Sequence, residues 1–478
     1  SLNVLPILLI YNGKSTRFAL KIRGFSKEGV PVRPRPRAPQ INKKDPMPLF
    51  AQETLNPGVK KREVFGWAMY DFANSGYTTV VITAVFNAYF VGVVTGGASW
   101  GTLAWTLALG LSNLIVMFTM PAIGAYADLR AAKKPLLVLT TIGCVATTLA
   151  LYWVGPQDVA LAVAAIVLSN LFYAIGEALT AAFLPELARR EAMGKVSGWG
   201  WSFGYFGGML ALGLSLAYVI WAQKQGQKAQ DFVPVTMVIT AAVYGLAALV
   251  TFALLKERAL PQACPSHGLR DSMARLRSTW QQAQRFEDFR WLLITALAYQ
   301  AGIGVVIALA AIYATEVLGF QQAETMMLIF LVNIAAAVGA FAFGYWQDRT
   351  GHKRALAITL VGWIVMCVLA ALTQTKALFW VAAVIAGLCM GSSQSAGRAI
   401  AGLLAPPRQL AEFFGLWTFA TRLSAIVGPV TYGLVTWLTA GNHRLGIVST
   451  AVFFVIGLVL LRHVNVERGA AHALERTV

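Results

Sequence analysis

Charged side chains are scarce in this sequence. Of its 478 residues, 13% are Asp, Glu, Lys or Arg and 57% are hydrophobic, whereas soluble domains contain about 25% and about 45–50%. The 21 acidic residues are too few to cover a large surface in water. The composition therefore excludes a soluble protein of this length, and it predicts that most apolar side chains face lipid.

Residues that hold metals or form disulfides are also scarce. The four cysteines include no C-x-x-C pair and the five histidines form no H-E-x-x-H helix, so the sequence indicates neither a disulfide framework nor a zinc site. It contains no phosphate-binding G-x-x-x-x-G-K-[ST] loop, which argues against ATP as the direct energy source. We therefore expect no metal, no cofactor and no enzyme activity, with a membrane-embedded enzyme kept as an alternative.

Much of the positive charge lies at the N-terminus. The first 46 residues contain ten Lys or Arg and two acidic residues. The remaining charge alternates between loops, as expected for membrane topology rather than for nucleic-acid binding. We treat residues 1–60 as a basic, disordered arm without a secretory signal. Two interpretations of residues 1–46 stay open: an over-extended gene model with a natural start at Met47, or a basic tail near anionic lipid.

Twelve apolar stretches follow this arm, and each has the length of about 20 residues that a membrane-crossing helix needs. They predict an all-α membrane protein with a six-helix bundle at 61–256 and another at 290–466. A polar loop at 257–289 joins the bundles, and a tail at 467–478 follows. The predicted spans are 65–91, 101–126, 135–155, 158–184, 197–222, 233–255, 291–316, 324–346, 354–374, 377–404, 414–439 and 444–464.

Lys and Arg are concentrated in alternate loops. Lys60, Lys61 and Arg62 precede the first span, and further basic residues follow the second, fourth, eighth and tenth spans and occur throughout the central loop. The intervening loops carry few. Because positively charged loops stay in the cytoplasm, we expect both termini and the central loop to be cytoplasmic, with the protein in the inner membrane of the cell.

Two shifts superpose one half of the sequence on the other. A shift of 220 residues aligns G-A-Y-A-D-L-R-A-A-K-K-P-L, from Gly124, with G-Y-W-Q-D-R-T-G-H-K-R-A-L, from Gly344. It also places Asn113 on Asn333. A shift of 221 places Pro185, Glu191 and Gly194 on Pro406, Glu412 and Gly415. The matches indicate that six helices were duplicated in one orientation, with substrate expected near the midplane between pseudo-symmetric halves.

The repeated loop resembles the cytoplasmic signature of the major facilitator superfamily, which implies the fold of that family. Its glycine lets two helices approach closely. Its aspartate can cap the following helix and accept an arginine, which makes a latch that breaks when the conformation switches. Positive-inside topology is the alternative for the basic residues, but not for the repeated aspartate. The latch residues are Gly124, Asp128, Arg130, Lys133, Lys134, Gly344, Asp348, Arg349, Lys353 and Arg354.

Several blocks resemble the vacuolar-effluxer-like family, whose yeast member exports amino acids from the vacuole. They are W-A-M-Y-D-F-A-N-S-G-Y, F-L-P-E-L-A, G-W-G-W-S-F-G-Y-F-G-G, Q-S-A-G-R and F-G-L-W, and the resemblance covers residues 62 to 469. It implies a transporter of amino acids or similar metabolites. The family typically carries an acidic residue near Y-x-D-G in the seventh span, whereas this chain has Gln300 after Tyr299. This departure leaves ion coupling open.

Four ionisable side chains lie inside predicted spans, where each needs a partner or a water-filled cavity because insertion costs about 2.5–3.5 kcal/mol. The 221-residue shift places Glu177 on Arg398, and we expect these charges to pair, as an exchanging substrate or proton site or as a fixed ion pair. Arg422 is expected in the cavity or behind it, against the loop signature. The predicted cavity residues are Asp71, Asn74, Tyr77, Tyr173, Glu177, Tyr299, Gln300, Gln394, Arg398 and Arg422.

Together these features predict a secondary transporter that moves an amino acid or similar small solute by alternating access. Export is the expected direction, and coupling to protons is left open. A non-transporting sensor or scaffold built on a transporter body is the alternative. The expected partners are the lipid bilayer, the small solute and protons, without nucleic acid, and the expected state is a monomer.

Overall fold

The structure, a computed structural model, describes residues 51–98, 100–261, 286–320, 322–440 and 442–475. The arm before residue 51 and most of the predicted central loop lie outside the described residues. Within these residues the chain is helical, and an isolated backbone bridge between Leu55 and Ala188 does not extend into a strand.

Twelve helices among the described residues are long and apolar enough to cross a membrane, which confirms the predicted number of spans. Several extend past the predicted limits, because a helix continues beyond the apolar stretch that crosses the hydrocarbon. They are α1 (Lys61–Val94), α2 (Gly101–Arg130), α3 (Lys133–Ala150), α4 (Val159–Ala181), α5 (Met193–Lys224), α6 (Ala229–Leu254), α7 (Glu287–Leu318), α8 (Gln322–Thr350), α9 (His352–Leu372), α10 (Lys376–Leu404), α11 (Leu410–Leu438) and α12 (His443–Leu460).

The two halves of the chain repeat one packing scheme. In the N-terminal bundle α1 packs against α5 and α6, and α3 packs against α4. In the C-terminal bundle α7 packs against α11 and α12, and α9 packs against α10. The bundles meet along two equivalent helix pairs, α2 with α11 and α5 with α8. This arrangement confirms the pseudo-symmetric fold that the sequence repeat predicts.

Small residues allow the bundles to touch. A Cβ atom on Gly124 of α2 would collide with the carbonyl oxygen of Ala411 of α11. At the equivalent interface, a Cβ atom on Gly198 of α5 would lie 2.5 Å from the carbonyl oxygen of Ala340 of α8. Membrane helices lack a hydrophobic driving force for association, so close backbone packing at such residues supplies much of the contact energy.

Short segments at both ends of the described chain are more ordered than expected. Residues 51–60, predicted as part of a disordered arm, lie against the segment that follows α4, where the amide of Asn56 donates to the carbonyl of Leu187 at 3.0 Å. The predicted tail forms a helix, α13 (Val466–Glu475). Arg468 fixes it to the start of α7 by donating to both carboxylate oxygens of Asp288, at 2.9 and 2.8 Å.

The α1 helix is not regular along its length. Its backbone widens into π-helical turns at Thr78–Ala84 and at Phe90–Val94. Such turns are uncommon and occur frequently at functional sites. The first of them contributes Thr78, Thr79, Ile82 and Thr83 to the lining of the cavity described below.

Candidate functional site

A cavity of about 720 Å³ lies between the two bundles. We call the end of the molecule that carries Asp128 and Asp348 the signature end, and the opposite end the distal end. The cavity follows α1 from Asp71, towards the signature end, to Asn87, towards the distal end, which is about 24 Å at 1.5 Å per residue. A volume of this order is typical of small-molecule sites.

The two bundles contribute different walls to this cavity. The N-terminal bundle contributes mostly polar side chains, whereas the wall from the C-terminal bundle is mostly apolar. Its apolar part includes Ile303, Val306, Leu328, Val332, Met366 and Phe379. A solute with a polar or charged group and an apolar group can therefore contact both walls.

A buried ion pair joins the bundles at the signature end of the cavity. Nη1 of Arg398, on α10, donates to Oδ2 of Asp71, on α1, at 2.7 Å. Arg398 is 6% exposed and Asp71 is 9% exposed. Removing either partner would leave a buried charge without compensation, which typically costs about 3–5 kcal/mol.

Each nitrogen of the Arg398 guanidinium donates to a neighbouring group. Besides the bond to Asp71, Nη2 donates to the carbonyl oxygen of Ser197 at 2.8 Å and Nε donates to its hydroxyl at 3.2 Å. The rings of Trp67 and Trp201 lie 4.8 and 5.2 Å from the guanidinium carbon. Cation–π contacts of this kind add to the electrostatic stabilisation. All of these partners belong to the N-terminal bundle, so Arg398 holds the two bundles together.

A second ion pair joins α4 to α11. Nη2 of Arg422 donates to Oε2 of Glu177 at 2.5 Å. This pair is more open than the first, since the Glu177 side chain is 35% exposed. The guanidinium carbon lies 5.9 Å from the ring of Tyr173, and Nε of Arg422 has no hydrogen-bond partner among the described residues. This cation therefore keeps a donor that its present partners do not use.

The observed pairing differs from the expected one. Glu177 pairs with Arg422 and Arg398 pairs with Asp71, so the expected pair of Glu177 with Arg398 does not form. Equivalent positions of two halves related by a pseudo-twofold axis face each other only close to that axis. Arg422 lines the cavity, and the alternative position behind it is not observed.

Two tyrosines predicted to line the cavity lie behind its wall. Tyr77 and Tyr299 are fully buried within their own bundles. The Tyr77 hydroxyl is 2.8 Å from that of Ser169, and its ring stacks on Tyr173 with centroids 5.2 Å apart. Tyr77 therefore supports the cavity residue Tyr173 without reaching the cavity itself.

Three predicted amide residues do line the cavity: Asn74, Gln300 and Gln394. Oδ1 of Asn74 accepts from the hydroxyl of Tyr244 at 2.7 Å. Nε2 of Gln300 donates to Oε1 of Gln394 at 2.9 Å, within the C-terminal bundle. A neutral amide pair thus occupies the position where the acidic residue of the resembling family was expected.

Other polar residues of the cavity were not predicted. Along α1 they follow Asp71 and Asn74 at helical spacing, and Asn113 and Asn333, aligned by the repeat, face the cavity from α2 and α8. A polar stripe within an apolar span and a repeated asparagine were the signals that identify them. The additional polar residues include Ser75, Thr78, Thr79, Thr83, Asn87, Asn113, Asn170, Trp201, Tyr205, Asn333, Thr418 and Thr421.

The two signature aspartates cap helices of the opposite bundle. Oδ2 of Asp128, at the end of α2, accepts from the amide of Glu412 in the first turn of α11 at 2.9 Å. The carboxylate of Asp348, at the end of α8, accepts from the amides of Gly194 and Lys195 in the first turn of α5, at 2.9 and 3.1 Å. An anion at a helix N-terminus is stabilised by free amides and by the helix dipole.

This geometry corrects the expectation that each aspartate caps the helix that follows it. In both copies the amides that reach the carboxylate belong to the first turn of a helix of the opposite bundle. The cation near Asp128 is Lys133, at 3.9 Å, and not an arginine. Lys133 is buried and also pairs with Glu186 of the F-L-P-E-L-A block.

The remaining basic residues of the signature have local roles or face outwards. Lys134 donates from its backbone amide to Glu257 at 2.8 Å and from Nζ to the carbonyl of Leu255 at 2.6 Å, which ties α3 to the end of α6. Burial raises the pKa of Glu257. Nζ of Lys353 donates to the carbonyl of Arg462 at 2.9 Å. The side chains of Arg130, Arg349 and Arg354 are exposed.

Comparison with known proteins places the chain in a family. The family described as "Vacuole effluxer Atg22 like" matches residues 102–474. The chain belongs to this family. It is 26% identical over 414 residues to the uncharacterized MFS-type transporter YxiO of Bacillus subtilis, a match that covers 84% of this chain and 94% of YxiO. It is 27% identical over 241 residues to autophagy-related protein 22 of Cryptococcus neoformans, covering 45% of this chain and 44% of that protein.

Solved structures share the fold of this Atg22-like chain. The human organic anion transporter MFSD10 superposes with a TM-score of 0.67 at 14% identity, over 84% of this chain and 99% of MFSD10. The major facilitator transporter FucP, in its outward conformation, superposes with a TM-score of 0.64 at 15% identity, over 84% of this chain and 98% of FucP. At these identities the likeness shows the fold alone.

The Atg22-like chain is therefore a multi-pass membrane protein and a secondary transporter of small solutes. Its relatives and structural neighbours are transporters rather than enzymes. Among the residues that the structure describes, no three His, Cys, Asp or Glu side chains are grouped to hold a metal ion.

Proposed function

We propose that this transporter exports amino acids or similar zwitterionic metabolites across the cytoplasmic membrane, as a monomer. The distribution of charge in the cavity carries the proposal. The N-terminal bundle supplies the carboxylates, Asp71 and Glu177, and the C-terminal bundle supplies the guanidinium groups, Arg398 and Arg422. Each ion pair therefore crosses the interface along which the two halves move.

A zwitterion is the solute that this arrangement fits best. When the bundles part, the N-terminal half keeps the carboxylates and the C-terminal half keeps the guanidinium groups. An ion that water does not reach costs several kcal/mol unless a new partner compensates its charge. An ammonium group can take the place of the cation beside a carboxylate, and a carboxylate can take the place of the anion beside an arginine. The apolar wall of the C-terminal bundle is suited to an apolar side chain of the solute.

The charges outside the cavity support the proposed orientation, and the family description supports the proposed direction. The signature end carries the basic loops, which supports a cytoplasmic location of that end by the positive-inside rule. The two aspartate caps and the Asp71–Arg398 pair hold the bundles together there, while the cavity extends towards the distal end. In this orientation the end that these contacts hold closed faces the cytoplasm. The effluxer name of the family supports export as the direction.

Coupling to protons is part of the proposal. A proton that binds Asp71 removes its charge and weakens the bond to Arg398, so a proton gradient can bias the opening of the signature end. The neutral Gln300–Gln394 pair cannot carry the proton, because side-chain amides do not titrate near neutral pH. The carboxylates of the N-terminal bundle are therefore the candidates for the proton-coupling group.

Purified protein in liposomes tests the proposal. Counterflow of a radiolabelled amino acid, L-phenylalanine first and then a panel of the other amino acids, is measured with and without a pH gradient. We expect counterflow that an imposed gradient accelerates. If no amino acid exchanges under either condition, while sugars do, the zwitterion proposal is wrong.

A further inference from the structure

The two cross-bundle ion pairs differ in how much of each arginine remains available. All three nitrogens of Arg398 donate to Asp71 or Ser197, and tryptophan rings lie close to its guanidinium. These bonds use three of the five N–H groups of Arg398, one on each nitrogen, so a ligand would have to displace a partner to bind this guanidinium through Nε. In Arg422 only Nη2 is seen to donate, to Glu177, and Nε has no partner among the described residues.

The Glu177–Arg422 pair is also the more exposed of the two ion pairs. The side chains of Asp71 and Arg398 are 11% and 7% exposed, whereas those of Glu177 and Arg422 are 35% and 17% exposed. Both pairs border the same cavity, so the difference comes from their immediate surroundings. A ligand can approach Glu177 and Arg422 without first dismantling a buried network.

The surroundings of the second pair have the form of a binding site. Tyr173 lies on the same face of α4 as Glu177, one turn away, and its ring faces the Arg422 guanidinium at 5.9 Å. Tyr77 stacks on Tyr173 from behind, and Ser169 holds the Tyr77 hydroxyl. The position of the Tyr173 ring is therefore fixed by packing, which favours a pre-organised site.

We propose that the two pairs have separate tasks: Glu177, Arg422 and Tyr173 bind the charged head group of the zwitterion, and Asp71–Arg398 is a gate that makes no ligand contact. In the bound state the ligand carboxylate accepts from the two Nη groups of Arg422, which is a bidentate geometry that arginine can offer, while Nε stays buried. The ligand ammonium donates to Glu177. The inference rests on the proposed function for the class of solute.

Three compounds that share a phenyl group and differ in their charged groups test this division of tasks. L-phenylalanine has both charged groups, phenethylamine lacks the carboxylate, and 3-phenylpropanoate lacks the ammonium. Affinity for the purified protein is measured by thermal shift, because a ligand that binds the folded state raises its melting temperature. We expect the wild type to bind L-phenylalanine at least about tenfold more tightly than either analogue, a difference of about 1.4 kcal/mol.

Variants of Arg422 and Glu177 test separately which side chain binds the ligand carboxylate and which binds the ligand ammonium. Arg422→Gln is expected to bind L-phenylalanine no better than phenethylamine, and Glu177→Gln no better than 3-phenylpropanoate. Arg422→Lys keeps the charge but loses the bidentate geometry, and we expect an intermediate affinity from a variant that still folds. Asp71→Asn, the matched change at the gate, is expected to keep the wild-type preference for L-phenylalanine while flux is lost.

The outcomes separate this inference from the proposed function. If L-phenylalanine stabilises the wild type through Glu177 and Arg422 but does not exchange across liposomes, the subsite stands and the transport of amino acids is wrong. If the wild type exchanges L-phenylalanine but only Asp71→Asn removes the preference over the analogues, the division of tasks is wrong. It is also overturned if the wild type does not distinguish the three compounds.

Discussion

The Asp71 carboxylate and the Arg398 guanidinium are separated by 327 residues in the sequence and by 2.7 Å in the structure. Their bond joins α1 of the N-terminal bundle to α10 of the C-terminal bundle. In alternating access the halves part at one end of the cavity and then at the other. A bond at this position would break whenever the signature end opens, and we propose that the charge of Asp71 sets how easily this happens.

Replacing Asp71 by Asn should abolish proton-coupled flux and leave the protein folded. The amide cannot take up or release a proton, but its oxygen still accepts a hydrogen bond from Arg398. We expect gradient-driven flux in liposomes to fall at least about tenfold, equivalent to about 1.4 kcal/mol. Glu467→Gln, an exposed carboxylate on α13, is the control and should behave like the wild type. Wild-type flux with an unchanged pH dependence in Asp71→Asn would remove the coupling role.

A double-mutant cycle should identify the true partner of Arg398. In thermal or chemical unfolding, the effects of Asp71→Asn and Arg398→Gln should be non-additive by about 0.5–3 kcal/mol, because each change removes the same bond. Glu177→Gln and Arg398→Gln should be additive within about 0.5 kcal/mol, since these residues do not touch. The reverse result would mean that the pair expected from the repeat forms in the membrane.

The spans and the symmetry of this fold could be predicted from sequence, because both are local or repetitive signals. Each span is an apolar stretch of fixed length, and the matches from Gly124 and Gly344 are visible without coordinates. The contacts of the signature aspartates could not be predicted in the same way. Asp128 lies near its own loop in the sequence, but the first turn that it caps, at Glu412, belongs to the other half of the chain.

The sequence predicted which charged residues lie at the candidate site, but not which of them form ion pairs. Burial cost singled out Asp71, Glu177, Arg398 and Arg422, and all four line the cavity. Which of them pair depends on the angle at which each helix faces the pseudo-twofold axis, and sequence equivalence does not contain that angle. For the same reason the sequence wrongly predicted that Tyr77 lines the cavity. Its side chain points from a different face of α1 and lies behind the cavity wall.

The aspartate cap at α11 should stabilise the closed signature end. Loss of a helix cap costs about 0.5–2 kcal/mol, so Asp128→Ala should shift the equilibrium towards opening of that end by several-fold. A cysteine at Ser395, which is fully buried beneath the closed end, reports the opening through its rate of labelling by a membrane-impermeant thiol reagent. The native cysteines are removed from this background.

Asp158→Ala is the matched control for this measurement. Asp158 also accepts a backbone hydrogen bond, from Gly155 at 2.9 Å, but at the distal end and within one bundle. Its loss should leave the labelling rate at residue 395 unchanged. Equal labelling in the wild type and in Asp128→Ala would show that the cap does not hold the end closed.

Two glycines of α2 test whether close packing of the bundles stabilises the conformer with a closed signature end. A methyl group at Gly124 would collide with the carbonyl of Ala411 across the interface, whereas a methyl group at Gly110 has no neighbour within 4 Å. Overpacking typically costs about 1–3 kcal/mol, so Gly124→Ala should lower the melting temperature and increase labelling at the signature end. Gly110→Ala should be neutral or stabilising by up to about 1 kcal/mol, because alanine favours the helix. If both variants melt and label alike, the α2–α11 contact is looser in the membrane than this structure shows.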